Sequence, residues 1–200
     1  MRVLVIFLPK KTTDMNIIAR PHGCDSCYCR PDTTWERENK DFYVPDDING
    51  LSWAPIVFVR ISKAGKCIGK KFASRYYDSF NFGALLYCVK DASDIAFTSC
   101  TDHTSILPAP LYNPVVMGQE DNVFKVFIGE EEVFKFDTVT VQEQIEDTLC
   151  KASALTSLRI GDFVAVELAP VSVLTIRHDG ETSFRSSFCD NPLFDMKIIF

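Results

Sequence analysis

The sequence predicts an α+β domain that is mainly β, with one main helix. Three observations predict it. Short runs dense in Val, Ile and Phe recur between turn signals, as strands require. Only one segment, Thr140 to Ala154, carries a helical start signal and a helical apolar spacing. Finally, 200 residues with 46% apolar content and 16 Phe are enough to bury a core in one domain.

Taken in order, Val3 to Leu8 reads as a buried first strand. Its apolar run is short and Lys10-Lys11 follow it, so it does not read as an export signal. Pro9 to Asp32 reads as irregular, with Gly, Pro, Asp and three cysteines. Asp41 to Pro45 is a short extended piece closed by Pro-Asp-Asp. Ile56 to Ile61 is a strand, and Ala64-Gly65-Lys66 a hairpin-like turn. Phe72, Tyr76 and Phe80, spaced by four, predict a short helix from Lys70. Leu85 to Val89 is a strand. Asn122 to Ile128 and Glu132 to Phe136 form a β-hairpin around Gly129-Glu130-Glu131. In the helix, Thr140 is placed as the cap and Glu143 as its capping-box partner, with Ile145 and Leu149 on one face. Phe163 to Leu168, Val171 to Ile176 and Met196 to Phe200 are further strands. A small N-terminal lobe over residues 1–50 is expected to precede a main unit over 51–200.

Twenty-one Lys and Arg against 27 Asp and Glu give a net charge of −6. No basic field would draw phosphate, which argues against nucleic-acid binding. No apolar run reaches the ~20 residues of a membrane span, so a cytoplasmic protein is expected. The eight cysteines are expected to be reduced, with most of the five isolated ones acting as small core hydrophobes.

Lys70 to Ala84, KKFASRYYDSFNFGA, resembles the central motif of the fumarylacetoacetate hydrolase family. CRPDTTW, DFYVPDDI, the hairpin FKVFIGEEEVFKF, SLRIGDFVAVELAP and LFDMKIIF resemble it in the same order. RYYD and the Leu-x-x-Gly-Asp pattern at Leu158 to Asp162 are the most specific pieces. The likeness is to the C-terminal domain type, as in 2-hydroxyhepta-2,4-diene-1,7-dioate isomerases and 2-keto-4-pentenoate hydratases. It implies a mixed β-roll of stacked sheets, usually dimeric. It also implies Mg²⁺- or Mn²⁺-dependent cleavage, hydration or isomerisation of acylpyruvate-like and diketo acids, or decarboxylation of oxaloacetate.

The departures fall on the chemistry. Where the family carries a Glu-x-Glu metal pair, this chain has Ala54 and Ile56. Leu85 stands at the next ligand position and Ser99 near the family's lysine, with Asp102 beside it. Glu167 and Leu168 replace the small residues that seat a substrate carboxylate, and Thr13 and Asn16 fall near the acid–base pair. A hard divalent cation needs oxygen ligands, which Ala, Ile and Leu lack. The resemblance therefore implies a former-site pocket of Ala54, Ile56, Leu85, Ser99, Asp102, Glu167 and Leu168, with no catalytic residue, metal or cofactor. Expected partners are a small molecule, a second copy of the chain or an active paralogue.

Two alternatives stay open. An active enzyme would need its carboxylates elsewhere, for example Glu36, Glu38 and Asp102. A zinc or redox module could use His22, Cys24, Cys27 and Cys29, since thiolates and imidazole suit Zn²⁺. Asp102-His103-Thr104-Ser105 contains a histidine and a hydroxyl, but neighbours in sequence seldom reach catalytic geometry.

Overall fold

The computed structural model describes residues 15–88, 99–117, 119 and 122–200. The strand expected at Val3 to Leu8 lies outside them, as does Thr13.

Two sheets form the architecture. The first is eight-stranded and contains β1 (Asn16–Arg20), β2 (Tyr28–Pro31), β3 (Trp35–Glu36), β5 (Gly50–Ile61), β6 (Tyr77–Cys88), β7 (Ser105–Ile106), β10 (Phe163–Glu167) and β11 (Ser172–Ile176). Its order is β2-β1-β10-β5-β6-β7-β3, with β11 paired to the first half of β5. The second sheet runs β4-β13-β12-β8-β9. Its strands are β4 (Phe42–Tyr43), β8 (Val123–Ile128), β9 (Glu131–Asp137), β12 (Glu181–Phe188) and β13 (Asn191–Ile199). One α-helix is present among the described residues, α1, spanning Val141–Leu155. No helix among the described residues is long and apolar enough to cross a membrane.

The sheets stack through aromatic side chains. Phe82 lies 4.7 Å from Phe124, and Trp53 5.2 Å from Phe184, between ring centroids. Ile145, Leu149 and Ala152 of α1 join the same core. The opposite face of the first sheet carries a second apolar cluster, built on Ile17, Ala54, Ile56, Phe58, Leu85 and Phe163. That two-sided burial explains why β5 and β6 read as continuous apolar runs rather than alternating ones.

Several expectations need correction. Residues 9–32 are not irregular throughout, because β1 and β2 pair antiparallel there and β1 runs parallel to β10. The strands expected from Ile56 and Leu85 start earlier, at Gly50 and Tyr77. The strand β12 was not expected at all. Nor do the sheets mark a division at residue 50: β1 and β2 extend the first sheet, while β4 pairs with β13 in the second. The four-residue spacing of Phe72, Tyr76 and Phe80 does not make an α-helix. Lys70–Arg75 is a 3₁₀ turn that buries Ala73 alone, and Phe72 sits exposed beneath the cations of Lys71 and Arg75. Of the five isolated cysteines only Cys88 is fully buried, and Cys67 and Cys100 are exposed.

The helix start differs in mechanism. Thr140 makes no side-chain cap bond, and Glu143 instead reaches Lys70 Nζ at 3.0 Å. The chain enters α1 through a 3₁₀ turn, Thr138–Thr140, whose first amides are met by Asp137: its Oδ1 accepts from Val139 N at 3.2 Å. Replacing a capping side chain by Ala typically costs ~1 kcal/mol. Asp137→Ala should therefore lower the denaturation midpoint measurably, and Thr140→Ala should leave it nearly unchanged. Equal losses in the two variants would restore Thr140 as the cap.

Candidate functional site

The residues of interest converge on the outer face of the first sheet. Along β5, Ala54, Ile56 and Phe58 point to this face, as the two-residue period of a strand requires. Ala54 stands opposite Leu85 on β6, and Ile56 stands opposite Glu167 on β10. The ladder thus brings Ala54, Ile56, Leu85 and Glu167 together. The first three are fully buried and pack with Ile17, Phe58 and Leu111, with Trp35 at the margin.

A cover closes this cluster. The segment after β7 lies across β6, where Asn81 Nδ2 donates to the carbonyls of Pro108 and Pro110 at 3.1 and 3.0 Å. Trp35 Nε1 donates to Leu107 O at 3.1 Å. Gly83 permits the approach, since a Cβ there would lie 2.1 Å from Ile106 O.

Beside the apolar cluster runs a buried polar chain that the sequence did not reveal. Arg30, fully buried, donates from Nη2 to Leu86 O at 2.9 Å and to Thr104 Oγ1 at 2.7 Å. Its Nη1 lies 3.5 Å from Tyr28 OH, and Tyr28 OH lies 2.5 Å from Tyr87 OH. Tyr87 OH donates to Glu167 Oε1. Because Tyr87 spends its proton on the carboxylate, Tyr28 donates to Tyr87 and receives from Arg30. The chain therefore runs in one direction, from a cation to a carboxylate. Burial pushes both phenols up in pKa; for Tyr87 the neighbouring Tyr28 and Glu167 add to the effect. These phenols do not serve as bases near neutral pH. Tyr87 was detectable in principle, because it follows Leu85 by two and must share its face. Nothing in the sequence marks Arg30 as buried.

Glu167 is 4% exposed, and its second oxygen accepts from His22 N at 2.9 Å. It and Leu168 line a polar cleft of about 330 Å³ with Arg20, His22, Cys24, Asp25 and Gln144. A second groove of about 210 Å³ lies between Asn16, Cys27 and Cys29 on one side and Ala152 and Leu155 of α1 on the other.

The remaining expected site residues lie apart from these. Ser99 is buried, and Asp102 is exposed in the turn before β7. The Trp35-Glu36 segment is not a plain surface turn. Glu36 is buried, and its Oε2 lies 3.0 Å from His103 Nδ1. Its Oε1 accepts from Glu38 N at 2.7 Å. Glu38 itself pairs with Lys40. His103 faces Glu36, whereas Ser105 Oγ is bonded to Thr34 Oγ1 at 2.8 Å, so the two do not form a nucleophile–base pair. The four thiol and imidazole candidates divide between the two clefts: His22 and Cys24 line one, Cys27 and Cys29 the other. Among the described residues, no three His, Cys, Asp or Glu side chains gather as metal ligands.

The two most specific sequence pieces have structural roles. Asp78 of RYYD takes a two-pronged ion pair from Arg60, at 3.2 and 2.9 Å. Asp162, fully buried, accepts from Asn16 N at 2.8 Å and Arg159 N at 2.7 Å, fastening β1 to the turn before β10.

No protein-family profile matches the chain, and no curated protein matches it in sequence. Solved structures do match in fold. Fumarylpyruvate hydrolase from Pseudomonas aeruginosa, solved with Mn²⁺ and pyruvate, superimposes with a TM-score of 0.76 at 11% identity, over 99% of this chain and 96% of that one. A Yersinia pestis CO92 protein provisionally assigned to the fumarylacetoacetate hydrolase family gives 0.76 at 13% identity, over 94% and 93%. Maleylpyruvate hydrolase from Sphingobium sp. SYK-6 gives 0.69 at 15% identity, over 93% and 70%. The chain therefore has the fumarylacetoacetate hydrolase fold, with its mixed sheets stacked as expected.

Proposed function

We propose that this chain is a catalytically degenerate form of the fumarylacetoacetate hydrolase fold that binds a small molecule and does not perform metal-dependent chemistry. One observation carries the reading. The positions that the resemblance assigns to metal carboxylates, Ala54, Ile56 and Leu85, face one another across paired strands inside a sealed apolar cluster. A divalent cation would find no oxygen there in exchange for its hydration shell, so the residues present do not fit one. Glu167, set opposite Ile56, adds a single carboxylate, already engaged by Tyr87 and His22. That carboxylate would also repel the anionic group of an acylpyruvate or oxaloacetate.

An active enzyme using Glu36, Glu38 and Asp102 is the less favoured reading, because Glu36 is committed to His103 and the Glu38 amide. The divided thiols likewise weigh against a zinc or redox module.

A second reading, association with a copy of itself or with an active paralogue, is favoured by one feature. Strand β11 pairs with β5, and it and the residue before it expose Val171, Val173 and Ile176. Such a row suits burial against a partner.

The experiment is turnover. Purified protein with Mn²⁺ should leave fumarylpyruvate, maleylpyruvate and oxaloacetate at their uncatalysed rates. Saturable, Mn²⁺-dependent loss of any of them would overturn the proposal.

A further inference from the structure

Among the described residues, the cleft beside Glu167 holds a carboxylate with no direct ion pair. Two of its charged lining residues, Arg20 and Asp25, are closed off through Asp147 and Lys151 of α1. Arg20 Nη1 pairs with Asp147 at 2.5 Å, Asp147 also takes Lys151 at 2.9 Å, and Lys151 pairs with Asp25 at 2.6 Å. Two cations and two carboxylates are thereby matched. Glu167 has no such direct partner, and the buried cation Arg30 reaches it only through Tyr28 and Tyr87. Among the described residues no cation forms an ion pair with it, and its donors are two neutral groups, His22 N–H and Tyr87 O–H. A carboxylate has about four acceptor positions. Burying a carboxylate without a direct ion pair is costly, and a cation brought against it from the cleft would offset that cost.

From this geometry we infer that the cleft floored by Glu167 binds a small ligand carrying an ammonium or guanidinium group. The inference rests on the reading above, in which the seat of an anionic substrate has become a carboxylate, and it names the ligand class for that same site. The cleft has the size of a small-molecule pocket, at about 330 Å³. Gln144 at its wall offers a further polar contact. Donors on the ligand would complete the Glu167 shell from the side that Tyr87 and His22 leave open. Charge also sets the direction of selectivity, since a ligand presenting a carboxylate to Glu167 would be rejected.

The test uses agmatine and putrescine as probes, with pyruvate as the anionic comparison, followed by backbone amide NMR and thermal stability of the full chain. Agmatine or putrescine should shift the His22 amide signal saturably and raise the denaturation midpoint, and pyruvate should do neither. Glu167→Gln should weaken that binding at least tenfold. Gln144→Trp fills the cleft from the helix side without touching the Glu167 hydrogen bonds, and it should abolish the response even if Glu167→Gln fails to fold. No saturable response to either amine, an equal response in Glu167→Gln, or an undiminished response in Gln144→Trp would overturn the inference. Absence of amine binding together with absence of turnover would overturn the ligand class alone. Mn²⁺-dependent turnover would overturn the proposed function itself.

Discussion

Replacing Gly83 by Ala should cost about 3 kcal/mol or more, at the upper end of what overpacking a core does. The added Cβ would lie 2.1 Å from the carbonyl oxygen of Ile106 and 3.2 Å from Pro108 Cδ. Neither neighbour is a flexible side-chain tip. Ile106 sits in β7, paired with Ala84, and the segment behind it is tied to Asn81 at two carbonyls. The whole cover, which carries Leu107 and Leu111 over the cluster with Leu85, would have to lift. For a chain of this length, ~3 kcal/mol corresponds to a fall of about 6–12 °C in the melting midpoint. The loss should also open the apolar cluster, giving a dye-binding signal that the wild-type chain lacks. A midpoint within a degree of wild type would show that this packing is not what closes the apolar cluster.

Asp162→Ala should be comparably severe, at roughly 3–4 kcal/mol. Its two carboxylate oxygens each receive one backbone amide, from Asn16 and Arg159, and the side chain is fully buried. Hydrogen bonds to a charged group are worth ~1.5–3 kcal/mol each, and removing the acceptor leaves two amides unsatisfied. The effect has a location as well as a size. Asn16 begins β1, which bridges β2 to β10, so hydrogen exchange should accelerate through Ile17 to Arg20. Asp162→Asn, with one acceptor oxygen left, should fall between. If Asp162→Ala left β1 protected, the Leu-x-x-Gly-Asp pattern would have to be explained by something other than this clamp.

These two residues show how much of the molecule was legible in the sequence. Gly83 and Asp162 lie in the segments that carried the family resemblance, and both are there for the scaffold. Order and spacing of such segments reveal a fold well, because turns and close approaches admit few residue types. The hairpin β8–β9, helix α1 and strand β10 were visible for the usual reason, apolar periodicity. Strands β1 and β2 were hidden by chemistry that strands seldom carry. In β2 the buried position is Arg30, which reads as surface until Leu86 O, Thr104 and Tyr28 are seen around it. In β12 the buried row is Phe184, Ser186 and Phe188, and the Ser-rich run between them disguised a clear alternation. At the candidate site, Ala54, Ile56 and Leu85 could be named because the resemblance implies metal ligands at those positions, and the ladder places them together. The polar chain from Arg30 to Glu167 could not, because it joins β2, β6 and β10, which no local pattern relates.

Calorimetric titration of Mg²⁺ and Mn²⁺ into the purified chain, with melting curves at the same concentrations, decides whether the fold holds a divalent cation. A cation that binds the native state at a hundred times its Kd adds ~2.7 kcal/mol of stability by mass action. The account predicts no saturable heat and no rise in the midpoint at millimolar metal, because Ala54, Ile56 and Leu85 supply no oxygen. Stoichiometric binding with a matching rise in stability would contradict it and would mean that the chain holds a divalent site elsewhere on the fold.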